Sequence, residues 1–487
     1  MQMSELRSRL GDRDRQRFFV AFLGGKLLGL AGAGAAVYTL MPVAVHALAP
    51  QADDLQTQVT NTINGLNTAW TLIAAFLVFF MQAGFMMLEA GFARTREVVN
   101  VLLECIVDTC LCALLFWAFG FAFMFGAGNG FIGTHYFFLQ GAPATYDFGG
   151  SLDTGVAFLA FFLFQYAFAD TCSTITSGAM VGRTGFVGDL LYSVGVSGFI
   201  YPIIGHWVWG PGGWLQTAHN GVWLRDFAGS TVVHTVGAMI ALVGAIVLGP
   251  RIGRKFKRDG GGLPAGHDLT IAAIGGVILW FGWYGFNPGS TLSAIDAAGI
   301  GRVATNTTLA ASAGGMLAMF IVYQRIKKWD IGITINGFLG GLVAVTAPCY
   351  WISPLGAVVT GAIGGAVVVY GIDFIEWLRI DDPIGAVAVH GFCGIWGTWA
   401  VGFFATGDFG DFKGLFYGGG TKQLFAQVWG NGVVVVVTLA VSFAMFHAVK
   451  ATRTLRVSEE GELEGIDFHE HGSSAYHPEA AFMGRGV

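Results

Sequence analysis

Long apolar runs recur along almost the whole chain, and charged residues are concentrated between them. A helix needs about 20 apolar residues to cross the hydrocarbon core of a bilayer. Runs of that length follow one another from residue 65 onward, so they predict an all-α polytopic membrane protein rather than several soluble domains. We predict eleven membrane-spanning helices, at about 68–91, 101–126, 155–181, 187–209, 230–249, 269–286, 304–325, 332–349, 354–374, 384–405 and 424–449.

The charged residues between these runs predict the orientation of the chain. Sixteen Arg and Lys residues fall in one set of connections and in the tail, whereas four fall in the other set. Cytoplasmic loops carry an excess of positive charge. We therefore predict a multi-pass protein of the inner (plasma) membrane, with the mature amino terminus outside and the carboxyl-terminal tail, residues 450–487, in the cytoplasm.

Residues 1–49 have the order of a signal peptide. Five arginines between residues 7 and 17 precede an apolar run that ends in small residues. Lys26 interrupts this run, however, and Pro50 is unfavourable directly after a cleavage point. Residues 1–49 are therefore either a signal peptide that is removed or an additional amino-terminal span, and we favour removal. Residues 50–449 would then form the membrane domain.

One nine-residue frame occurs twice. Asp226–His234 and Asp382–His390 both read D-x-x-G-x-x-x-V-H, and each opens a long apolar run. They belong to the fifth and tenth predicted spans. Because five is odd, two sets of five spans cross the membrane in opposite directions, which predicts an inverted 5+5 repeat followed by one final helix. In this arrangement the two histidines can meet near the midplane.

The repeated frame carries the main candidate chemistry. An ionisable side chain within a membrane helix usually faces a bundle interior or a cavity. His234 and His390 could be core histidines bonded to the backbone, but a matched pair can also share or relay a proton. We find no third ligand at metal-binding spacing and predict neither a metal nor a cofactor. Asp226 and Asp382 precede their helices, where a carboxylate caps the first turn.

Composition narrows the class of protein further. Charged residues make up 12% of the chain, about half of what is usual for a soluble domain, and apolar residues make up 54%. The 74 glycines predict close approach of helix backbones in the bilayer. A net charge of -5 argues against a nucleic-acid partner.

Several aromatic residues stand beside polar or helix-breaking groups. Trp209 ends the fourth span, Phe168 lies in the third, and Phe286 precedes an Asn-Pro-Gly-Ser sequence that ends in Ser290. Each of these rings is a candidate for the aromatic belt at a membrane interface or for the core. The alternative is a cup of rings that binds an ammonium-like cation by cation–π attraction.

Four motifs resemble the ammonium transporter (Amt/Mep/Rh) family, in particular its bacterial and plant branch. They are Met81–Gly91, Asp226–His234, Phe281–Ser290 and Val389–Gly397, and the resemblance runs in order from about residue 65 to 480. It implies an eleven-span inverted repeat that assembles as a homotrimer in the lipid bilayer. Each subunit would contain one narrow apolar pore for ammonium, ammonia or the analogue methylammonium.

The resemblance also implies roles for individual residues. An outer site would recruit ammonium, a stacked pair of rings would gate the pore, and two histidines with a pore-side threonine would line it. Asp226 would be a structural carboxylate on the outer side. The residues are Trp209, Phe168, Ser290 and Asp226 for the outer site, Phe168 and Phe286 for the gate, and His234, His390 and Thr346 for the pore.

The tail from Leu455 to Tyr476 is similar to the family's cytoplasmic tail, which couples subunits and meets a PII-type nitrogen-signalling protein. Gly465, Asp467 and Tyr476 are its candidate regulatory residues. Without the resemblance, the segment has the composition of a solvated acidic tail.

The chain departs from the family pattern at three places. The family usually has Ala-Glu-Arg after the third span, where this chain has Val181–Arg183 and so lacks a carboxylate that helps to position the tail. Asp170 follows Phe168 by two residues, where small apolar residues are usual. Glu104 and Asp108 add acidic groups to the second span. These carboxyl groups could change ion selectivity or pair within the bundle.

Three functions are compatible with these features. The first is a transporter that recruits ammonium, deprotonates it and passes ammonia inward, with the proton following through the histidine pair. The second is an ammonium sensor that signals through the tail, and the third is an Rh-type channel for neutral gas. We find no nucleophile–base arrangement or phosphate-binding loop and predict no enzyme activity.

Overall fold

Long helices account for most of the chain between residue 55 and residue 451, close to the predicted positions. Their order along the chain defines the numbering used below. They are α1 (Leu55–Phe92), α2 (Val98–Phe125), α3 (Phe158–Gly178), α4 (Phe186–Trp209), α5 (Ser230–Leu248), α6 (Leu269–Phe286), α7 (Ala297–Ile326), α8 (Ile331–Thr346), α9 (Pro354–Trp377), α10 (Val387–Phe404) and α11 (Lys422–Ala451).

The computed structural model describes residues 55–147, 153–216 and 223–476. Residues from Ile63 onward form one unit, and of the unit before it only residues 55–62 are described. Residues 1–49 lie outside the described part, so the signal peptide and the additional span both stay predictions.

Within the described residues, ten helices are long and apolar enough to cross a membrane. The remaining one, α8, has 16 residues and is shorter than the usual span. Large apolar side chains on the bundle surface are exposed, such as Phe76, Leu114 and Val436, as expected for contact with lipid. The prediction of an all-α polytopic membrane protein is confirmed, and the count of eleven spans stays a prediction.

Polar residues begin several helices by accepting hydrogen bonds from the first turn. Asp268, Asp296, Asp330 and Ser353 do so for α6, α7, α8 and α9. These bonds satisfy backbone N–H groups that have no partner within the helix. An antiparallel pair of short strands, β1 (Thr145–Asp147) and β2 (Asp153–Ala157), precedes α3.

Glycines allow α7, α8 and α9 to touch through their backbones. A Cβ at Gly365 of α9 would lie 2.1 Å from the carbonyl oxygen of Gly314 of α7. A Cβ at Gly341 of α8 would lie 2.3 Å from the carbonyl oxygen of Ala310. Any larger residue would separate these helices, so the predicted role of glycine in close backbone approach is confirmed at these positions.

Both copies of the repeated frame fold into the same irregular local structure. Residues Ser230–Thr235 and Val387–Phe392 each form a π-helical turn, and each turn contains the histidine of its frame. π-helical turns inside α-helices are rare and occur frequently at functional sites. The sequence repeat is therefore also a structural repeat, and it places both histidines at a point where helical geometry is relaxed.

Candidate functional site

A recess of about 390 Å³ opens at the end of the bundle that carries Trp209. Aromatic rings form half of its lining, and most of the other lining side chains are polar or charged. The Trp209 indole N–H donates a hydrogen bond of 2.7 Å to the backbone carbonyl of Asp226, which holds the ring in place. The lining residues named by the sequence are Phe168, Trp209, Asp226 and Ser290.

Two stacked phenylalanines close the bottom of this recess. The ring centroids of Phe168 and Phe286 lie 4.1 Å apart with an interplanar angle of 26°. The Trp209 ring meets Phe168 edge to face at 6.1 Å. The Ser290 hydroxyl donates to the carbonyl of Phe286 at 2.7 Å, so it is fixed beside the same pair. A solute that leaves the recess along this axis must displace the stacked rings.

His234 and His390 meet directly behind the stacked phenylalanines. Their Nδ1 atoms are 3.2 Å apart and their ring planes are nearly parallel, with an interplanar angle of 25°. The Phe286 ring stacks on His234 at 5.4 Å. In a hydrogen bond between two Nδ1 atoms one imidazole donates and the other accepts, so the two rings must adopt different tautomers. The Nε2 atom of His234 is buried and has no hydrogen-bond partner among the described residues.

The two π-helical turns can come this close because Gly394 has no side chain. A Cβ at Gly394 of α10 would lie 2.5 Å from the carbonyl oxygen of Ser230 and 2.6 Å from the Thr235 hydroxyl. Thr231 and Thr398 add a hydroxyl–hydroxyl bond of 2.6 Å between the same helices. The crossing of α5 and α10 therefore depends on small and hydroxyl-bearing residues.

Trp283 separates the Thr346 side chain from the path. The Thr346 hydroxyl accepts a hydrogen bond of 2.9 Å from the Trp283 indole and donates to the carbonyl of Leu342. The Trp283 ring stacks on His234 at 5.2 Å. Thr346 therefore reaches the histidine pair through Trp283, which sequence reasoning did not single out. The ring at Trp283 gave no signal of its own, because isolated aromatics are common in membrane helices.

The aspartates of the repeated frame cap their helices. Asp226 accepts hydrogen bonds from four consecutive backbone N–H groups, those of residues 229–232. Asp382 accepts from the N–H groups of Ala386 and Val387. Burial raises the pKa of Asp226 to about 6, although these N–H groups lower it. The prediction that both carboxylates cap their helices is confirmed.

A second void lies on the other side of the histidine pair. Its volume is about 20 Å³, enough for a single water molecule. His390, Glu89, Thr174 and Asn336 contribute the polar part of its wall, and the rest is mainly apolar. Among the described residues, no group of three His, Cys, Asp or Glu side chains is arranged to hold a metal ion.

The tail folds back onto the bundle through two short helices, α12 (Glu459–Glu464) and α13 (Ile466–His471). The buried carboxylate of Asp467 accepts hydrogen bonds from the backbone N–H groups of Val99 and Asn100, at 3.0 and 2.9 Å. These groups belong to the first turn of α2, where a negative charge is favourable.

Gly465, between α12 and α13, and Tyr476, after α13, lie close to residues of the membrane domain. Gly465 has a φ of +126°, and a Cβ there would lie 2.8 Å from the Cβ of Arg96. The Tyr476 hydroxyl lies 2.7 Å from Nε2 of His267. All three tail residues named from the sequence therefore contact the membrane domain.

The carboxylate of Glu97 lies where a side chain at position 182 would be, and so replaces the carboxylate that the sequence lacks there. Gly182 has a φ of +80°, and a side chain there would overlap the carboxylate of Glu97, which pairs with Arg94. Arg183 is buried and donates to backbone carbonyls, including that of Asp381 at 2.5 Å. The tail is thus packed against the membrane domain in this structure despite the departure at residues 181–183.

Asp381 joins the connections on this face, a role that sequence reasoning missed. Its carboxylate accepts hydrogen bonds from Arg251 at 2.8 Å and from Arg254 at 3.2 Å. Although burial alone would raise it, Arg183 and Arg251 lower the pKa of Asp381 to about 2. The partners are far apart in sequence, so only the charge run at residues 251–258 hinted at a buried acceptor.

A polytopic helical bundle with a narrow path of aromatic and histidine side chains through its centre has the architecture of a membrane transporter or channel. The sequence profile of the Ammonium Transporter Family matches residues 69–476. The chain belongs to that family.

Individual relatives agree with this assignment. The chain is 44% identical over 431 residues to ammonium transporter Amt2 of Archaeoglobus fulgidus, covering 84% of this chain and 87% of that protein. It is 37% identical over 454 residues to ammonium transporter 1 member 3 of Solanum lycopersicum, covering 86% of this chain and 94% of that protein.

Solved structures show the same fold. A protein described as a Sensor Amt Protein aligns with a TM-score of 0.77 at 36% identity, covering 84% of this chain and 99% of that one. Mep2 of Saccharomyces cerevisiae aligns with a TM-score of 0.73 at 27% identity, covering 81% of this chain and 88% of that one.

Proposed function

We propose that this protein transports ammonium through the path between the two voids. The observation that carries the proposal is the direct succession of a stacked phenylalanine pair and a hydrogen-bonded histidine pair along one axis. Ammonium enters the recess as a cation, loses its proton at the phenylalanines, and passes the histidines as ammonia. Family membership and the names of the relatives support ammonium as the substrate.

Charge recruitment and apolar passage impose opposite demands on the substrate. Rings and hydroxyls in the recess attract a cation, since the face of an aromatic ring carries negative potential. Behind the stacked rings the wall is mostly apolar, and a desolvated ion would cost many kcal/mol there. Deprotonation before the narrow segment removes this cost. The histidine pair can then carry the released proton, because each ring offers one nitrogen to its neighbour.

The proposal includes an orientation and an assembly. The Trp209 end faces outward and the tail lies in the cytoplasm, as the distribution of Arg and Lys favours. Three copies form a homotrimer in the inner (plasma) membrane, and the seated tail meets a PII-type signal protein. Cysteine accessibility on the two faces of intact cells tests the orientation, and chemical cross-linking in the membrane tests the number of subunits.

Trp209→Leu should weaken transport chiefly at low substrate concentration. A cation–π contact contributes about 0.5–2 kcal/mol, which corresponds to roughly twofold to thirtyfold weaker half-saturation. Methylammonium uptake into proteoliposomes, measured over a range of concentrations, checks this expectation. Trp117→Leu is the matched control, because Trp117 lies on the bundle surface and is 42% exposed. An unchanged concentration dependence in Trp209→Leu would remove this ring from the recruiting site.

Asp467→Ala should release the tail from the membrane domain. Hydrogen bonds to a charged group contribute about 1.5–3 kcal/mol each, and Asp467 accepts two from α2. Hydrogen–deuterium exchange of tail peptides should therefore become faster, whereas Glu464→Ala, at an exposed position, should leave it unchanged. Equal protection in wild type and Asp467→Ala would show that other contacts hold the tail.

Ammonium sensing is a second candidate function, because one solved neighbour is described as a Sensor Amt Protein. A sensor would use the same recess and report occupancy through the tail. The two functions differ in a folded variant that binds but does not conduct. If such a variant still supports the ammonium response of cells, sensing is favoured over transport.

A further inference from the structure

Five carboxyl groups are buried together beside the path, on the first four helices. Their exposed fractions do not exceed 2%. None of the ion pairs between described residues includes any of them. The residues are Glu89 of α1, Glu104 and Asp108 of α2, Asp170 of α3 and Asp189 of α4.

The five groups form a connected cluster rather than isolated sites. Asp189 interacts electrostatically with Glu89, Glu104 and Asp108, and Asp108 interacts in the same way with Asp170. The Tyr192 hydroxyl donates to Asp189. These interactions link side chains from four different helices, so the cluster results from helix packing and not from one acidic helix face.

The polar side chains around the cluster are neutral. Asn100 donates to Glu104 at 2.8 Å. Ser193 faces Asp108, and Gln82 faces Asp170. The Ser193 hydroxyl and the Gln82 amide nitrogen are buried and lack a well-formed hydrogen bond with any residue that the structure describes. Buried polar atoms that point at carboxyl groups without a fixed partner suit a site where protons change position.

Charge arithmetic explains why protons must be present. Two adjacent carboxylates in a medium of low dielectric constant cannot both remain ionised without a cation nearby. An isolated buried charge is costly, and such groups persist in membrane helices mainly where they serve ion or proton movement. Five acids with no basic partner in the described part of the chain therefore hold several protons that can move among their oxygens.

One member of the cluster opens onto the path. Glu89 and His390 line the same void of about 20 Å³. A void of this size accommodates a water molecule, which can hydrogen-bond to both groups. Thr174 also lines the void, and its hydroxyl donates to Gln82 within the cluster. The cluster thus has a polar opening at the cytoplasmic side of the histidine pair.

We propose that the five carboxyl groups are a proton-binding site of the transport cycle, loaded and unloaded through Glu89. This inference rests on the proposed function. A protonated His390 gives its proton to water in the void, and the water passes a proton to an ionised carboxylate at Glu89. The proton can then move to Asp189, which frees Glu89. It later leaves through Glu89 into the void and passes on to the cytoplasm. No covalent bond other than O–H and N–H changes, and no electron is transferred.

Other titratable groups pack against the cluster without supplying a fixed positive charge in it. His471 of the tail lies 2.8 Å from the Asn100 amide oxygen, so it reaches Glu104 only through that amide. Burial lowers the pKa of His471 below its ordinary value, although Asp467 raises it. The remaining groups are the thiols of Cys105, Cys112 and Cys172, the phenols of Tyr166 and Tyr192, and the imidazole of His390.

Infrared difference spectroscopy on reconstituted full-length protein tests the proposal. Protonated Asp and Glu side chains have a carbonyl-stretch band that carboxylates lack and that shifts in heavy water. We expect wild type to show this band at neutral pH and to change it when ammonium is perfused. Asp108→Asn should reduce the band and Glu89→Gln should abolish its response to ammonium. Asp408→Asn, at an exposed outer-loop position, is the control.

Transport measured on the same samples separates the two proposals. Normal methylammonium uptake with a band that is absent, or that ignores ammonium, would overturn the proton-binding site and leave the proposed function intact. A responsive band without uptake would contradict transport instead. A band that changes with sodium at constant pH would also overturn the inference, since it would indicate a metal-cation site. If a variant does not fold, the wild-type response and Glu104→Gln still decide the question.

Discussion

Asp226→Ala is expected to give almost no folded protein. Four consecutive backbone N–H groups of a buried π-helical turn would lose their acceptor at once. Each unsatisfied buried group costs about 1–3 kcal/mol. The sum, on the order of 5–10 kcal/mol, is comparable to the whole free energy of unfolding of a typical protein. Size-exclusion chromatography in detergent, compared with total expressed protein, measures the loss.

Two further variants make this expectation specific. Asp382 accepts only two N–H groups, so Asp382→Ala should lower the yield less. Asp226→Asn keeps one oxygen acceptor and should fall between Asp226→Ala and wild type. A normal yield of Asp226→Ala with impaired uptake would contradict the capping role. It would assign the carboxylate to the substrate instead.

Replacing either histidine of the pair is expected to have the second large effect, a loss of ammonium-evoked current. In His234→Ala or His390→Ala the proton has lost one of its two carriers, so the ammonium-evoked current should disappear. The removed ring leaves room for ammonia, and methylammonium uptake should continue with altered selectivity. Currents on solid-supported membranes and uptake on matched amounts of protein check both expectations.

His206 provides a matched structural control. It is buried, and its two ring nitrogens lie 2.8 Å from the backbone carbonyls of Met124 and Asn129. His206→Ala should therefore lower the yield of folded protein, at about 1–3 kcal/mol for a lost buried partner, without changing selectivity. If the two pore variants behave like His206→Ala, with low yield and normal current per folded molecule, the histidines are structural. Normal current and normal uptake in both would end the relay hypothesis.

Most of the fold could be predicted from hydropathy because the bilayer dictates the length of every span. The predicted span 269–286 coincides with α6, and 354–374 falls short of α9 by only a few residues at its end. The predicted span 68–91 lies within the longer helix α1, which begins at Leu55 and includes a mainly polar stretch before the apolar run. Apolar periodicity cannot detect a helix that extends out of the membrane.

The site was predictable where a repeat or a family motif marked it. The repeated frame indicated that His234 and His390 could meet, and the structure has them in contact. The π-helical turns around them were not predictable, because no residue type specifies an extra residue in a helical turn. Thr346 illustrates a different limit: the motif identified the position, but only packing shows that Trp283 stands between it and the histidines.

Contacts between distant acidic residues were beyond the sequence. Glu104, Asp108 and Asp170 depart from the family pattern in the sequence, but Asp189, which interacts with Glu104 and Asp108, carries no motif. The same holds for Glu97, which fills the space above Gly182 although the two lie on separate segments. Such clusters depend on how helices rotate about their axes, and composition does not reveal that.

The central claim is that ammonium enters as a cation and crosses as ammonia with a proton carried by the histidine pair. The most direct test measures ammonium-evoked current and radiolabelled methylammonium uptake on the same wild-type proteoliposomes. We predict a current that follows the ammonium gradient together with uptake above that of protein-free liposomes. Uptake without current would contradict the proton relay, and the absence of both signals would contradict ammonium transport itself.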